Sequence, residues 1–415
     1  MQMSVRSVRV LKAFAGARLS AGPRSARCDA SSAALPQASE ACRRVASGVS
    51  PSILRAATVF GLSSLMVCVS APVFAQDGPS VTVGAGLRTS FVHTQVEDFD
   101  DDSDTGPDTG FDNFNVGNAR LYVNGTVTKN IKLTFNTDYD SATNEVRLLD
   151  AVGQISFSPK ANIWMGRFLP PSDRPNLYGP FYAHSWNVFT DGIQDSYPMI
   201  YQGRLNGVAY WGEFGKAHVS AGIFDGPSAD FLGGNAGNYG GDSNDPIVAA
   251  RFQYDFWDAE SGYYQNSTYY GDKNVLAIGV AGQAQGEEHT AWSVDFLAEH
   301  KVGMGGAWTV EAEWARYSQL GLTFPPSDTT DGGFLLGSFL FPGSGTGHWE
   351  ILGKYGSANL KGAGLKETLT TSEFNLNYIL KQFNARIMMF FLDQRWELNE
   401  SANSWKAGLG LQLQM

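Results

Sequence analysis

From residue 78 onward, hydrophobic and polar residues alternate in about sixteen short stretches. In one of them, Ile131 and Leu133 occupy one set of alternate positions, and Lys132 and Thr134 occupy the other. A period of two residues is typical of a β-strand with one apolar face, because successive side chains point to opposite faces. The pattern predicts strands at 80–95, 114–127, 131–139, 146–157, 162–168, 202–214, 217–224, 247–257, 273–284, 289–301, 307–317, 333–341, 347–357, 371–380, 383–393 and 404–415.

The connections between these stretches also alternate, in length. Connections of two to six residues, rich in Gly, Pro, Asn and Lys, follow the even-numbered stretches, and longer polar connections follow the odd-numbered ones. A barrel that crosses a membrane has tight turns on one side and long loops on the other. The exception is 258–272, a Tyr-rich connection where a short turn is expected. We therefore predict an all-β fold, a 16-stranded antiparallel transmembrane β-barrel wide enough to enclose a channel.

The longest connection, 169–201, contains five prolines. Proline fixes φ and has no N–H donor, so this density stiffens the segment and prevents it from continuing the sheet. We expect the segment to fold inward and form the constriction of the barrel, and a plain surface loop is the alternative. The first long connection, 96–112, holds seven Asp residues without the spacing of a calcium loop, which indicates a solvated acidic surface loop.

Residues 1–75 are predicted to be removed before folding. An apolar run from Ala56 to Val69 follows Arg55 and leads to Val73-Phe74-Ala75, which is typical of a secretory signal peptide. The run is too short for a membrane-spanning helix, which needs about 20 residues. The Arg- and Ser-rich stretch before it indicates a start codon assigned too far upstream of a bacterial signal, with an organellar transit peptide as the alternative. The barrel then occupies residues 76–415.

Removal of residues 1–75 leaves 21 basic and 39 acidic residues, a net charge of about −18, and no cysteine. The acidity argues against a nucleic-acid partner, and without cysteine there is no thiolate for catalysis or metal binding. The six histidines lack metal-ligand spacing, and no hydrolase or phosphate-binding motif occurs. A barrel phospholipase would need a Ser–His pair on its lipid face, and His218 with Ser220 is a weak candidate. We expect no enzyme activity, no cofactor and no metal.

Strand parity assigns most charged residues to the face opposite the apolar one, which in a barrel is the lumen. The bases on this face are Arg120, Lys132, Arg167, Arg204, Arg251, Lys354, Arg386 and Lys406, and the acids are Asp138, Asp150, Asp255, Asp295, Glu299, Glu311, Glu313, Glu350 and Glu373. Charges at a constriction set ion preference. The expected pore-lining and selectivity residues are Arg120, Lys132, Arg167, Arg174, Arg204, Arg251, Glu311 and Glu313. Arg167 and Arg204 rank first because they flank the longest connection. The alternative is that each charge only wets the lumen or pairs with a neighbour.

Four segments resemble the phosphate-selective porin O and P family. RLLDAVGQISFSPKANIWMGRFLPP at 147–171 is similar to that family's LRDAYV … vGRFKPPFG signature, and RLNGVAYWG at 204–212, AGIFDGPS at 221–228 and EFNLNYILKQFNARIMMFF at 373–391 resemble further segments. The resemblance covers most of 113–415 and implies a 16-stranded outer-membrane porin that forms a homotrimer. The family's name implies a basic constriction loop, but here 169–201 holds Arg174 as its one base among Lys and Arg, against Asp173, Asp191 and Asp195. Phosphate selectivity is therefore not supported by these residues.

We expect a passive diffusion channel in the bacterial outer membrane, in contact with lipid and lipopolysaccharide. Ions and small hydrophilic solutes, with anions such as phosphate among the candidates, would cross down their gradients, filtered by lumen width and charge. One alternative is a structural or adhesive outer-membrane barrel without a channel. Another is a secreted soluble β-protein that binds carbohydrate.

Overall fold

The computed structural model describes residues 78–96, 109–140, 144–193, 203–225, 245–287, 289–318, 320, 329–362 and 365–415. The predicted signal segment with its cleavage site, most of the acidic first connection, and the last part of the longest connection lie outside the described residues.

Sixteen strands run through this part of the chain. They are β1 (Ser80–Val96), β2 (Thr109–Thr128), β3 (Ile131–Asp140), β4 (Glu145–Ser158), β5 (Ala161–Phe168), β6 (Leu205–Phe214), β7 (Ala217–Phe224), β8 (Ile247–Asp255), β9 (Val275–Gln285), β10 (His289–Gly303), β11 (Gly306–Ser318), β12 (Thr329–Leu340), β13 (His348–Gly362), β14 (Leu365–Lys381), β15 (Ala385–Trp396) and β16 (Ser404–Gln414). A helix, α1 (Arg174–Tyr182), lies between β5 and β6, and a short 3-10 helix (Glu400–Ala402) lies between β15 and β16.

Each strand pairs antiparallel with its neighbours in the chain, and β1 pairs with β16, which closes the sheet. Ala85 and Met415 exchange two backbone hydrogen bonds of 2.9 and 3.0 Å at this seam. Closure satisfies the backbone groups that an open edge strand would expose. The predicted fold class, a closed 16-stranded antiparallel β-barrel, is confirmed.

The two faces of the strands differ as the alternation predicts. Along β8 the side chains are buried and exposed in strict alternation, with Arg251 and Gln253 buried and Val248 and Phe252 about half exposed. Large apolar side chains thus cover the outside, and polar ones face inward. None of the helices in the described ranges is long and apolar enough to cross a membrane.

Several strands begin at positions other than those predicted. β14 begins at Leu365 rather than 371, and β12 at Thr329 rather than 333. The added residues are mostly polar and alternate weakly, but they continue the ladder, since Gly362 pairs with Leu365 across β13 and β14. The pairing partner extends these strands where the period-two signal is weak.

Candidate functional site

The described part of the longest connection, residues 169–193, is hereafter the β5–β6 segment. It contains α1, which is two helical turns separated at Gly179, where φ is 57°. Asp173 caps the first turn by accepting a hydrogen bond of 2.8 Å from the backbone N–H of Asn176. Pro175 lies in the first turn, where its missing N–H has no helical partner to lose.

Inward-facing side chains of the barrel hold the β5–β6 segment through its carbonyl groups. Arg386 Nη1 donates to the carbonyl of Ala183 at 2.8 Å, and Arg88 Nη2 donates to that of Trp186 at 2.6 Å. Three further contacts of the same kind join Arg251 to Ser172, Gln283 to Pro171 and Gln412 to Phe181. Three more barrel residues bind other groups of the segment: Glu350 contacts the His184 ring, Glu373 accepts from the backbone N–H of Asn187, and Lys354 pairs with the Asp191 carboxylate. Strands β8–β10 and β12–β16, together with β1, therefore bind the segment. Its Phe181 ring also contacts Arg120 and Tyr122 of β2, and most of its side chains are buried.

The connection between β8 and β9, residues 256–274, contacts the same interior. Gly262 N–H donates to Glu213 at 2.7 Å, and Tyr269 N–H donates to Glu299 at 2.8 Å. Tyr263 donates from its hydroxyl to the carbonyl of Leu169 at 2.7 Å, and so meets the β5–β6 segment. The Tyr-rich connection that broke the alternation of short and long connections is therefore a buried element rather than a turn.

Arg174 ties the two segments together. Its guanidinium donates to both carboxylate oxygens of Glu260, at 2.9 and 2.5 Å, and to the carbonyl of Asn266 at 2.8 Å. Its backbone N–H donates to Asp295 at 3.1 Å. Burial by itself lowers the pKa of Arg174, but the adjacent Glu260 and Asp295 raise it above its ordinary value. Arg174 is therefore a buried, charged link between the segments.

A cavity of about 770 Å³ lies against the inward faces of β1–β5, opposite the strands that hold most of the β5–β6 segment. Three bases line it, Arg120, Lys132 and Arg204, with Asp150 as the acid. Its remaining lining is largely aromatic and amide, and includes Tyr122, Asn136, Trp164, Tyr178, Tyr182, Tyr264 and Gln265. Tyr178, Tyr182, Tyr264 and Gln265 come from the two segments.

Two of the three bases form ion pairs. Arg120 Nε lies 2.8 Å from Asp138, and Arg204 Nε lies 3.2 Å from Asp150. Lys132, near the end of the cavity at the β2–β3 turn, is exposed. Three bases against two carboxylates give the wall of this cavity a local excess of one positive charge, although the chain as a whole is acidic.

The acids of β11 face the other side of the interior. Glu311 accepts a hydrogen bond from Ser267 of the β8–β9 connection. Glu313, 4% exposed, has no hydrogen-bond partner for either carboxylate oxygen within the described ranges. Across the β10–β11 ladder it is paired with Asp295, the carboxylate that binds Arg251 at 2.5 Å. No group of acids and histidines with a geometry suited to a metal ion occurs in the part of the chain that the structure describes.

The structure thus brings three of the predicted site residues together in the cavity, namely Arg120, Lys132 and Arg204. Arg174 and Arg251 lie together around Asp295 and the β5–β6 segment. Glu311 and Glu313 lie on the buried face of β11. Parity alone does not separate these groups, because it gives the face of a strand but not what packs against that face.

Arg167 does not belong to any of these three groups. It is paired in the sheet with Ala151 and Asn206, the outward-facing positions of the adjacent strands, whereas Trp164 and Phe168 are buried. The prediction that Arg167 faces the lumen differs from this placement. The physical reason is that Trp164 and Phe168 pack inward against Tyr263, so apolar residues mark the inner face of β5.

Sequence reasoning missed Glu260, Tyr263 and Tyr269, which join the β8–β9 connection to the interior. Their one signal was the density of tyrosines in a connection of the wrong length. His218 is 9% exposed on the inward face and lies 3.0 Å from Asp255, and Ser220 shares that face. The pair is therefore not on the lipid side, where a barrel phospholipase would need it.

Comparison with solved structures finds bacterial outer-membrane proteins of this fold. The chain superposes on OmpF of Salmonella typhi, solved as a complex with daunomycin, with a TM-score of 0.53 at 12% identity, covering 82% of this chain and 98% of that one. A loop-deletion form of OmpT, an outer-membrane protein of Vibrio cholerae, gives a TM-score of 0.50 at 12% identity, covering 82% of this chain and all of the other. An anion-selective porin from Comamonas acidovorans gives a TM-score of 0.49 at 12% identity, covering 81% and 100%.

No protein-family model and no curated protein matches the sequence. The resemblance to the phosphate-selective porin family is therefore not confirmed. At 12% identity the superpositions establish one thing, that the fold is that of bacterial outer-membrane porins.

Proposed function

We propose that the chain is an outer-membrane channel through which ions and small hydrophilic solutes diffuse down their gradients. The observation that carries this proposal is the cavity along β1–β5, inside a closed barrel whose outer face is apolar. Solute would pass on this side of the interior, and the mechanism would involve no covalent chemistry. Residues 1–75 would be the leader removed on export, and the mature chain would begin near Gln76.

The outer face of the barrel suits a lipid environment. Exposed aromatic side chains gather at the end of the barrel that carries the short turns, with Phe256 and Trp257 after β8, Phe341 after β12 and Trp349 at the start of β13. Aromatic residues at this level form the interfacial girdles of outer-membrane barrels. We place the barrel in the outer membrane with these side chains at the headgroup level and lipid or lipopolysaccharide around it.

The β5–β6 segment, with the β8–β9 connection, would form the constriction. The two segments occupy the interior beside β8–β16, so the path left to solute runs along β1–β5, past Lys132, Arg120 and Arg204. Screening is weaker in a narrow, low-dielectric passage than in bulk water, so single charges there influence which ions pass. The excess of positive charge favours anions at this point, against the acidic average of the chain.

Single-channel recording of the protein purified from outer membranes tests the proposal. We expect discrete current steps, and a larger conductance after deletion of the described stretch 173–191, because removing the segment widens the path. If the protein inserts into the bilayer and resists heat denaturation as a folded barrel, but carries no current, the result would instead support a structural or adhesive role.

The homotrimer rests on the resemblance and is likewise a proposal. Chemical cross-linking of the protein in intact outer membranes should give a discrete trimer band. A single monomer band under conditions that cross-link a control trimeric porin would exclude it.

A further inference from the structure

The cavity contains features that passage of simple ions does not require. Five aromatic rings line it, from Tyr122, Trp164, Tyr178, Tyr182 and Tyr264. A hydrated inorganic ion gains little from an aromatic face, whereas a ring with apolar C–H faces packs well against one. The lining is therefore better suited to an organic ring than to a small ion.

Two polar atoms at the cavity are buried without a hydrogen-bond partner within the described ranges. They are Asn136 Oδ1 and Gln265 Oε1. Asn136 donates from Nδ2 to Asp150 at 2.9 Å, which leaves its oxygen as an acceptor. Gln265 is 6% exposed. A buried acceptor left unpaired is costly, so these oxygens indicate a bound species that supplies O–H or N–H donors.

The charge of the wall adds a third requirement. Arg120 pairs with Asp138 and Arg204 with Asp150, and Lys132 is exposed at the cavity. An anionic group on the solute would take up the excess positive charge. The volume of about 770 Å³ is that of a small-molecule site.

We propose that this cavity is a binding site for a sugar bearing one anionic group, a sugar acid or a sugar phosphate of about hexose size. The ring would stack on the aromatic side chains, its hydroxyls would donate to Asn136 and Gln265, and its carboxylate or phosphate would lie at Lys132. This inference rests on the proposed function, because the bound sugar would be the channel's preferred solute.

Calorimetric titration of the purified, detergent-solubilised protein tests binding separately from conduction. The probes are galacturonate and glucose 6-phosphate, compared with glucose, inorganic phosphate and benzoate. We expect a sugar anion to bind at least about tenfold more tightly than the neutral sugar, the free anion or the ring without hydroxyls, since each of these lacks one of the three contacts. The tighter of the two sugar anions identifies the anionic group.

Two variants and a matched control test the assignment to this cavity. Lys132→Gln should weaken binding about tenfold by removing a charged contact. Gln265→Leu, which keeps the size of the side chain but removes its unpaired acceptor, should weaken it about fivefold. Lys129→Gln removes the same charge at an exposed turn position three residues away and should leave binding unchanged.

Equal binding of benzoate, inorganic phosphate or glucose would overturn the inference, as would equal effects of Lys132→Gln and Lys129→Gln. Recording the same preparations in planar bilayers distinguishes the two proposals. Ion current without sugar binding would leave the channel intact and reject the sugar site. Sugar binding without any current would reject the channel instead.

Discussion

At the scale of single residues, Arg174 shows how the interior is held together. Its guanidinium and the carboxylate of Glu260 are both almost fully buried, with side-chain exposures of 0% and 1%. A buried ion pair of this kind contributes little net stability over an apolar pair, but removing one partner leaves an uncompensated charge. The pair therefore fixes the position of the β5–β6 segment relative to the β8–β9 connection.

Replacing Arg174 with Met should release the β5–β6 segment, at a cost of about 3–5 kcal/mol in the free energy of its docking. Hydrogen exchange within 169–193 should accelerate, and the open-channel current should become larger and noisier. The double variant Arg174→Met/Glu260→Gln should recover part of the protection, because Glu260 is then neutral. Arg147→Met, which breaks an exposed pair with Glu145, is the control. Unchanged exchange in Arg174→Met would mean that other contacts hold the segment.

The sequence predicts the same role for Arg167 and Arg204, but the structure places only Arg204 at the cavity. Arg204→Ser should shift the reversal potential toward cations, because it removes a base from the cavity wall and leaves Asp150 without this ion pair. Arg167→Ser should leave it unchanged, because Arg167 is paired with outward-facing positions. The measurement is best made at about 10 mM salt, where screening is weak. A shift in Arg167→Ser equal to that in Arg204→Ser would contradict the placement of Arg167.

The alternation of polar and apolar residues predicts the inward face correctly for the acids, but it assigns the wrong face to Arg167 on β5, where aromatic rings point inward. Every predicted lumen-facing acid is buried in the structure, from Asp138 to Glu373. On β5 the inner face carries Trp164 and Phe168, which pack against a distant segment. No pattern within seven residues reveals such a partner, because the contact joins parts of the chain almost one hundred residues apart.

At the scale of elements, the strands are predictable and the interior segments are not. Alternation locates all sixteen strands because each one faces lipid on one side. Helix α1 has no such signal: its nine residues include two prolines and a glycine, and tertiary contacts rather than helix propensity hold it. The β8–β9 connection is recognisable as exceptional from its length and tyrosines. Its position inside the barrel, however, depends on hydrogen bonds to Glu213, Glu299 and Leu169, which the sequence pattern does not reveal.

Replacing residues 259–272 with a short Gly-rich turn should open the interior from the turn side. Conductance should rise, and protection of the β5–β6 segment against hydrogen exchange should fall, because Arg174 loses Glu260 and the carbonyl of Asn266. The matched control shortens the exposed connection 341–347 between β12 and β13, which should change neither quantity. A folded barrel with unaltered conductance would show that the β8–β9 connection lies off the solute path.

At the scale of the whole molecule, the barrel follows from two simple periods, one in the side chains and one in the lengths of the connections. What does not follow from the sequence is that the interior is divided unequally, with buried segments beside β8–β16 and the cavity beside β1–β5. This division decides how the channel would work, because it would put the proposed solute path and the three cavity bases on the same side.

Cysteine accessibility tests this division most directly, since residues 69–415 contain no cysteine that would react in the background. Thr134 lines the cavity, whereas Thr371, 4% exposed on β14, faces the buried segments. A charged thiol reagent applied during single-channel recording should reduce the current through Thr134→Cys and leave that through Thr371→Cys unchanged. A reduced current through Thr371→Cys with no effect on that through Thr134→Cys would contradict this division of the interior and place the solute path on the opposite side of the barrel.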